Sequence, residues 1–219
     1  MAQGYVKTID LPQVIPVFPL PGAILLPRGQ LPLNIFEPRY LNMVDDAMAG
    51  DRIIGMIQPT AGSGGLPSLS PVGCAGRITS FAETSDGRYL VTLTGCARFR
   101  LASELPTQTP YRQIRADFTP FEADLGAPDA DGAALDRDNL LEALGAYLET
   151  RGLDIDWDTA EGAPPEALIN SLSMALPFEA PEKQALLEAV SLNDRAAVLT
   201  ALMRIDAADN SDGEPQSMQ

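Results

Sequence analysis

The feature that most restricts the fold is a proline-rich apolar run at residues 17–33, VFPLPGAILLPRGQLPL. It contains four prolines, and Pro16 stands just before it. An interior proline removes a helical hydrogen bond and clashes with the preceding turn, so no long helix can form here. We therefore expect two extended, edge-type segments over residues 5–19 and 30–36, joined by a turn-rich connection.

The rest of the first half has the pattern of a β domain that carries one helix. Pro38 suits a first helical position and Gly50 a position just past a helix end, which predicts an amphipathic helix between them. Apolar strands are predicted at 52–58 and 111–121. Together these segments indicate a small barrel-like β domain of five or six strands over residues 1–122.

A hairpin that turns at Asp86-Gly87 is the clearest local signal in this half. Strict alternation gives each of its strands one apolar face, formed by Val72, Cys74 and Ile78 on the first strand and by Val91, Leu93, Ala97 and Phe99 on the second. The register that joins these two faces turns Cys96 away from Cys74 unless a bulge intervenes. We therefore expect both cysteines to be reduced.

The second half is predicted to be helical. Leucines at helical spacing and Gly152 at the end predict one helix within DRDNLLEALGAYLETRG, and three more follow in APPEALINSLSMAL, APEKQALLEAV and LNDRAAVLTALMRI. Four helices with short connections predict a bundle over residues 123–206. Residues 207–219 have the composition of a disordered acidic tail. The predicted fold class is α+β, a small β-barrel with one helix followed by a bundle of about four helices.

Charge divides the chain in the same place and argues against two classes of partner. The formal net charge is −15. Residues 1–120 carry 9 acidic and 10 basic side chains, whereas residues 121–219 carry 21 acidic and 5 basic side chains. The acidic half should repel nucleic acid and anionic membranes. Without a signal peptide or a membrane-spanning stretch in the sequence, we expect a cytoplasmic protein.

Residue types argue against the common catalytic systems. The sequence contains no histidine and only two cysteines, which excludes histidine-based nucleophilic catalysis and a four-ligand zinc site. No Gly-Lys pair is available for a phosphate-binding loop. Lys7 and Lys183 are the only lysines, and we expect both at the solvated surface. The aspartates of DIDWD, residues 154–158, fail the calcium-loop pattern and predict a solvated acidic turn or a helix start, so no metal or cofactor is expected.

Two groups of side chains are candidate binding residues. Ile24, Leu25 and Leu26 either belong to the core or form an exposed patch that binds a peptide. Arg77, Arg98 and Arg100 are predicted on the outer face of the hairpin, where they either form an anion site or pair with carboxylates of the chain itself.

The order of these motifs resembles a known family. IPVFPLPGAILLPRGQLPLNIFEPRY, VGCAGRITSF, GCARFRL and APEKQALLEAVSLNDR, in that order, are similar to the N-terminal substrate-binding domain of Lon proteases. They are most similar to stand-alone bacterial Lon-like proteins that lack the ATPase and peptidase domains. The resemblance covers roughly residues 10–205, and the sequence given stops before either of those domains could begin.

The resemblance implies a fold and a function. The β domain should be PUA-like, and the protein should be a non-enzymatic module that binds unfolded or peptide segments of proteins, with a Lon-type protease as a possible partner. No catalytic residues carry over; Gly95 is expected to meet a backbone requirement and Arg98 to be structural. Two alternatives remain open: an RNA-binding PUA-like protein, which the net charge opposes, and a hydrolase that uses carboxylates alone.

Overall fold

The computed structural model describes residues 5–61, 67–127 and 135–211, with side chains up to residue 209. Its described part contains six strands: β1 (Val14–Pro19), β2 (Gln30–Ile35), β3 (Ile53–Thr60), β4 (Ser68–Glu83), β5 (Tyr89–Leu105) and β6 (Arg112–Asp117). It contains six α-helices: α1 (Pro38–Ala49), α2 (Arg137–Arg151), α3 (Trp157–Gly162), α4 (Pro165–Ala175), α5 (Ala180–Glu188) and α6 (Leu192–Ser211). Two 3-10 helices, Thr8–Asp10 and Thr119–Leu125, lie at the two ends of the β part.

All six strands form one mixed sheet that closes on itself. The strand order is β2-β5-β4-β3-β1-β6, and β5 also pairs with β6, which completes a ring of five strands. Only the β1–β3 pairing is parallel among the described strands. Strand β2 pairs with the first part of β5 outside the ring. The predicted α+β class is confirmed, and the sheet is mixed.

Two cores result from this closure. One is built by all five ring strands, and its members include Ile15, Ile57, Ala75, Phe99 and Ile114. The larger core joins the outer face of the sheet to the helices, so Leu25, Met56 and Leu93 pack in the same cluster as Leu144, Ile169 and Leu199. Because apolar burial is the main favourable contribution to folding, this shared core fastens the helices to the sheet.

A β-bulge in the hairpin corrects the predicted register. Ala75 pairs with Ala97, but the next residue, Gly76, pairs with Gly95, so β5 carries one extra residue at this point. An extra residue reverses which side chains face which side. The apolar face predicted for β5 was therefore wrong beyond the bulge, since Val91 and Leu93 lie in the core shared with the helices whereas Ala97 and Phe99 lie in the ring core.

The bulge leaves the prediction for the cysteines intact. Cys74 lies in the core shared with the helices and Cys96 in the ring core, and both are free thiols. Burial raises the pKa of Cys96 to about 11 and raises that of Cys74 well above its usual value. Both side chains therefore behave as small apolar groups rather than as nucleophiles.

The domain bounds predicted at 122/123 and at 207 remain predictions, whereas the predicted number of helices differs from the number observed. The boundary at 122/123 falls inside the 3-10 helix Thr119–Leu125. The sequence predicted four helices after the β domain, and the described part has five, because α3 forms a short helix of its own. The disordered tail was predicted from residue 207, whereas residues 207–211 belong to α6, which continues to Ser211; residues 212–219 lie outside the described part. None of the described helices combines the length and apolar character needed to cross a bilayer.

Candidate functional site

An open groove lies where the proline-rich connection meets the helices. Its volume is about 830 Å³. One wall is the segment Pro27–Gln30, which leads into β2. The other is the beginning of α4, where Pro164 is the N-cap and Pro165 the first helical residue. The lining residues on the second wall are Pro164, Pro165, Glu166, Ala167, Asn170 and Ser171. Pockets of this size that combine apolar walls with a few polar groups are typical ligand sites.

The first wall is held by backbone hydrogen bonds to β5. Arg28 N donates to Gly95 O at 2.8 Å, and Gly95 N donates to Gly29 O at 2.9 Å. Arg28 adopts a left-handed φ of 65°, which is uncommon for a residue with a side chain. Gly29 lets α4 approach closely, because a Cβ there would lie 2.6 Å from Met174 Sδ. The wall is thus a tight turn, shaped by backbone contacts.

An ion pair ties the two walls together. The Arg28 guanidinium donates through Nε to Glu166 Oε2 at 3.0 Å, and its NH2 group also contacts Glu166 Oε1. Its NH1 group donates to Asp124 O at 2.8 Å. Since the two side-chain charges are in contact, they largely neutralise each other within the groove. The groove is therefore polar on one side but carries little net charge of its own.

Asn170 forms a second connection between the two walls of the groove. Its Nδ2 donates to Pro27 O at 3.1 Å, and its Oδ1 accepts from Arg195 NH1 at 2.9 Å. Arg195 Nε donates in turn to Leu186 O in α5. Asn170 and Arg195 are 3% and 4% exposed, and burial lowers the pKa of Arg195 to about 10. Buried polar groups that are fully paired hold one geometry, so the groove is set by contacts already present in the free protein.

The predicted peptide-binding residues lie beside this groove but not in it. Ile24, Leu25 and Leu26 are 2%, 0% and 0% exposed and belong to the core shared with the helices. Of the two roles left open by the sequence, the structure places them in the core. The prediction that these side chains form an exposed peptide-binding patch is therefore corrected, because a ligand could touch them only by displacing the core.

The prediction that three arginines cluster on the outer face of the hairpin is also corrected. Arg98 pairs with Cys74 across the hairpin and is buried with its guanidinium on Asp124, because the bulge turns it toward the helices. Arg77 is half-buried, with its guanidinium 5.9 Å from the centre of the Tyr5 ring. Arg100 is exposed. The cluster is not formed, and Arg98 follows the alternative in which an arginine pairs with a carboxylate of the chain.

Lys183 was expected at the surface, and it is buried. It is 2% exposed, and its Nζ donates to Ser173 O at 2.8 Å and Met174 O at 2.7 Å. These carbonyls end α4 and have no intrahelical partner, because Pro177 prevents the helix from continuing. The helical spacing of Lys183 with Leu186 and Leu187 places it on the buried face and could have revealed this role.

The buried Lys183 predicts a pH effect on stability. Burial lowers its pKa to about 8 from the ordinary 10.5. Between those values the unfolded chain binds the proton more tightly than the folded chain, so the free energy of unfolding contributed by this group rises with pH. Relative to Lys183→Met, the wild type should gain about 1–3 kcal/mol from pH 8 to 10.5 in urea titrations. A constant difference across this range would contradict the prediction.

Of the acidic turn and the helix start left open for the DIDWD segment, the structure shows the helix start. Asp156 caps α3, accepting from Thr159 N at 3.0 Å and from Thr159 Oγ1 at 2.7 Å. These hydrogen bonds hold the pKa of Asp156 below its usual value, so it is ionised at neutral pH. Among the described residues, no group of histidine, cysteine or carboxylate side chains is arranged to hold a metal ion.

Sequence reasoning missed most of the groove. Pro164 and Pro165 were identified only as a helix start, and Arg28 and Glu166 received no role. These two residues are 138 positions apart in the chain, and no local pattern predicts that they meet. Pro27 directly follows Leu26, the last residue of the candidate peptide-binding loop, and it lines the groove.

The family comparison matches nearly the whole described chain. Residues 14–204 match the family model described as the ATP-dependent protease La (LON) substrate-binding domain. Lon protease 2 of Myxococcus xanthus is 24% identical over 203 residues, which cover 91% of this chain and 24% of that protein. Lon protease 2 of Sorangium cellulosum is 28% identical over 207 residues, covering 86% and 24% respectively. The chain thus spans about a quarter of the length of these relatives.

Two solved structures have a similar fold. The Lon N-terminal domain protein from Xanthomonas campestris gives a TM-score of 0.60 at 23% identity, over 86% of this chain and 97% of that one. The N-terminal domain of the Mycobacterium avium complex Lon protease gives 0.64 at 19% identity, over 92% and 100%. Both alignments include the sheet and the helices together, which agrees with the core that the two share.

Proposed function

We propose, because the chain belongs to the family of ATP-dependent protease La (LON) substrate-binding domains, that it is a recognition module which binds exposed apolar segments of unfolded proteins. The family match supports a substrate-recognition role connected with Lon proteolysis. We further propose that the module is not itself catalytic and that a Lon-type protease is its partner. The closed ring of strand pairings supports a comparison with PUA-like folds.

The observation that carries the proposal is the open groove between Pro27–Gln30 and the start of α4. A volume of about 830 Å³ accommodates a few residues of extended chain. Proline rings and Ala167 supply apolar walls for side chains, while Gln30 and Ser171 are available to hydrogen-bond a peptide backbone. Because Arg28 and Asn170 already hold the walls, the ligand does not have to order the groove, which favours affinity.

The polar groups of the groove also favour a binding function over a catalytic one. Its charged lining residues are Arg28 and Glu166, and each is engaged with the other. Ser171 is the hydroxyl among the lining residues. A serine nucleophile needs a general base, and Glu166, the carboxylate among the lining residues, is engaged with Arg28 instead. Binding a segment of unfolded chain requires no reaction at Ser171 or at the Arg28–Glu166 pair.

Filling the groove should weaken the binding of unfolded protein. Ala167 is an exposed groove residue on α4, and an Ala167→Trp side chain would occupy the space proposed for the ligand. We expect the dissociation constant for a labelled, reduced and carboxymethylated protein to rise about tenfold or more, equivalent to a loss of about 1.4 kcal/mol. Fluorescence anisotropy at fixed salt measures this change.

Ala201→Trp is the matched control, because Ala201 is an exposed alanine on α6 and does not line the groove. Circular dichroism should show both variants folded, since each adds a side chain at an exposed helical position. Equal affinity of the two tryptophan variants and the wild type would refute the groove as the site. Absence of binding by the folded wild type would refute the proposed function.

A further inference from the structure

Two small pockets lie side by side along α1, where this helix meets β1 and the start of β6. The first, which we call the proline pocket, has a volume of about 140 Å³, and the second has a volume of about 170 Å³. Pockets that enclose a whole small molecule measure about 300–1,000 Å³, so each of these suits a single side chain. Neither pocket shares a lining residue with the groove at α4.

Rings form most of the wall of the proline pocket. Tyr40 and Tyr111 line it, together with four prolines from separate parts of the β domain: Pro19, Pro59, Pro67 and Pro110. Aromatic rings and proline rings offer flat apolar surfaces, and aromatic-lined sites of this kind bind proline-rich segments in other recognition domains. The shape and chemistry of the wall therefore suit a proline ring of a ligand.

Tyr40 places a free hydroxyl in the proline pocket. Its side chain is 6% exposed and is held between the Phe18 ring, 4.3 Å away, and the Arg39 guanidinium, 4.5 Å from the ring centre. Within the described residues this hydroxyl has no hydrogen-bond partner, and it is not enclosed as the unpartnered hydroxyls of Tyr147 and Ser173 are. It therefore opens toward the pocket that Tyr40 lines.

The charges at the proline pocket are already paired, which favours an uncharged ligand. Arg39 Nε donates to Glu37 Oε2 at 3.0 Å, and Arg112 donates through Nε and NH2 to the two carboxylate oxygens of Glu104, both at 2.6 Å. Burial raises the pKa of Tyr40 above its usual value, so the hydroxyl stays protonated and can donate. A neutral backbone carbonyl beside a proline ring is the acceptor that fits this arrangement.

The distance between the two pockets matches one turn of a polyproline II helix. Tyr111 lines both pockets, and its hydroxyl donates to Asp46 Oδ2 at 2.7 Å between them. Tyr40 lines the first pocket and Ala47 the second, and their separation along α1 is about 10 Å at 1.5 Å per residue. Residues i and i+3 of a polyproline II helix lie on one side, about 9 Å apart.

We propose that the two pockets form a second binding site, which takes a proline-containing segment of another protein in the polyproline II conformation. Prolines at positions i and i+3 occupy the two pockets, and the Tyr40 hydroxyl donates to a backbone carbonyl of the bound segment. This ligand differs from the apolar unfolded segments proposed for the groove, and the site does not depend on that function.

Two alanine-based peptides of equal composition test the proposal. One carries two prolines three positions apart, and the other carries them two positions apart. In NMR titrations of the full chain we expect the first peptide to bind about fivefold more tightly, because the second fills one pocket at a time. Tyr40→Phe, which removes the hydroxyl and keeps the ring, should weaken binding of the first peptide by about fivefold.

Tyr147→Phe is the matched control, because it also removes a hydroxyl without a protein partner and Tyr147 lines neither pocket. It should leave the affinity unchanged, and so should Ala167→Trp in the groove. Equal affinity for the two peptides, or unchanged affinity in Tyr40→Phe, would overturn the proposed site. A loss of binding in Ala167→Trp would assign the peptide to the groove, and absence of binding to the folded wild type would refute the second site.

Discussion

Replacing Asp124 by alanine is expected to lower the free energy of unfolding by about 3–5 kcal/mol, because it leaves a buried arginine without its counter-ion. Asp124 Oδ2 accepts from Arg98 N and Nε, both at 2.9 Å, and Oδ1 accepts from NH2 at 2.8 Å. The Arg98 side chain is 6% exposed and that of Asp124 is 8% exposed. Water cannot replace the lost carboxylate at this depth.

The effect should extend beyond the pair, because Arg98 also joins the sheet to α5. Its NH1 group donates to Leu187 O at 3.2 Å and to Ala189 O at 2.5 Å. In the Asp124→Ala variant the guanidinium would keep these two carbonyl acceptors but lose its counter-ion. The uncompensated charge would then lie at the junction of sheet and helices. We therefore expect the helices to lose their docking on the sheet before the ring core unfolds.

Urea denaturation followed by circular dichroism measures this prediction. Asp86→Ala is the matched control, because Asp86 pairs with Arg88 at 2.9 Å with both side chains at least half exposed. Exposed pairs contribute about 0–1 kcal/mol. A loss for Asp124→Ala no larger than that for Asp86→Ala would show that the buried pair does not hold the two parts together.

The variant Gly95→Ala should be destabilised by at least about 3 kcal/mol, because the new methyl group would collide with backbone rather than with a movable side chain. A Cβ at Gly95 would lie 2.0 Å from Leu26 O and 2.8 Å from Leu26 C. Relief requires the connection at residues 26–29 to move off β5. That movement would break the hydrogen bonds of Arg28 N and Gly95 N and would widen the groove.

Gly162→Ala is the control for Gly95→Ala. Gly162 is the last residue of α3, and a Cβ there would meet nothing within 4 Å. We expect a change between zero and a gain of about 1 kcal/mol, since alanine restricts the unfolded chain and favours helix. Thermal unfolding measures the stability of both variants, and we expect Gly95→Ala to melt at the lower temperature. Equal melting temperatures would contradict the close contact at Gly95.

Local patterns predicted most of the elements. The helix expected from Pro38 and Gly50 is α1, and the turn expected at Asp86-Gly87 contains Gly87 at a φ of 77°. Gly152 follows the end of α2 with a φ of 61°. These signals are strong because proline and glycine act on the backbone at their own position, whatever the rest of the fold does.

Apart from the missed helix α3, the main mispredictions concern which partner a residue meets. Strict alternation failed at the bulge between Ala75 and Gly76, and this error alone moved Arg98 from the surface to the buried junction. Lys183 was placed outside because lysine is usually exposed, whereas the unpaired carbonyls of α4 stabilise it inside. The bulge has no signal in the local sequence, whereas the helical spacing of Lys183 with Leu186 and Leu187 is a local signal that outweighs the usual exposure of lysine.

The proline-rich run shows the division between sequence and tertiary structure. Its composition by itself determined that residues 17–33 could not form a long helix and would be extended around a turn, since each proline restricts its own backbone and lacks a donor. Only the tertiary structure decided that Ile24, Leu25 and Leu26 are core and that the open surface lies next to them, from Pro27 to Gln30. Both results depend on residues from distant parts of the chain. Helix residues such as Leu144, Ile169 and Leu199 share the core of the three side chains, and Glu166 and Asn170 of α4 hold the groove wall. No local pattern encodes that approach.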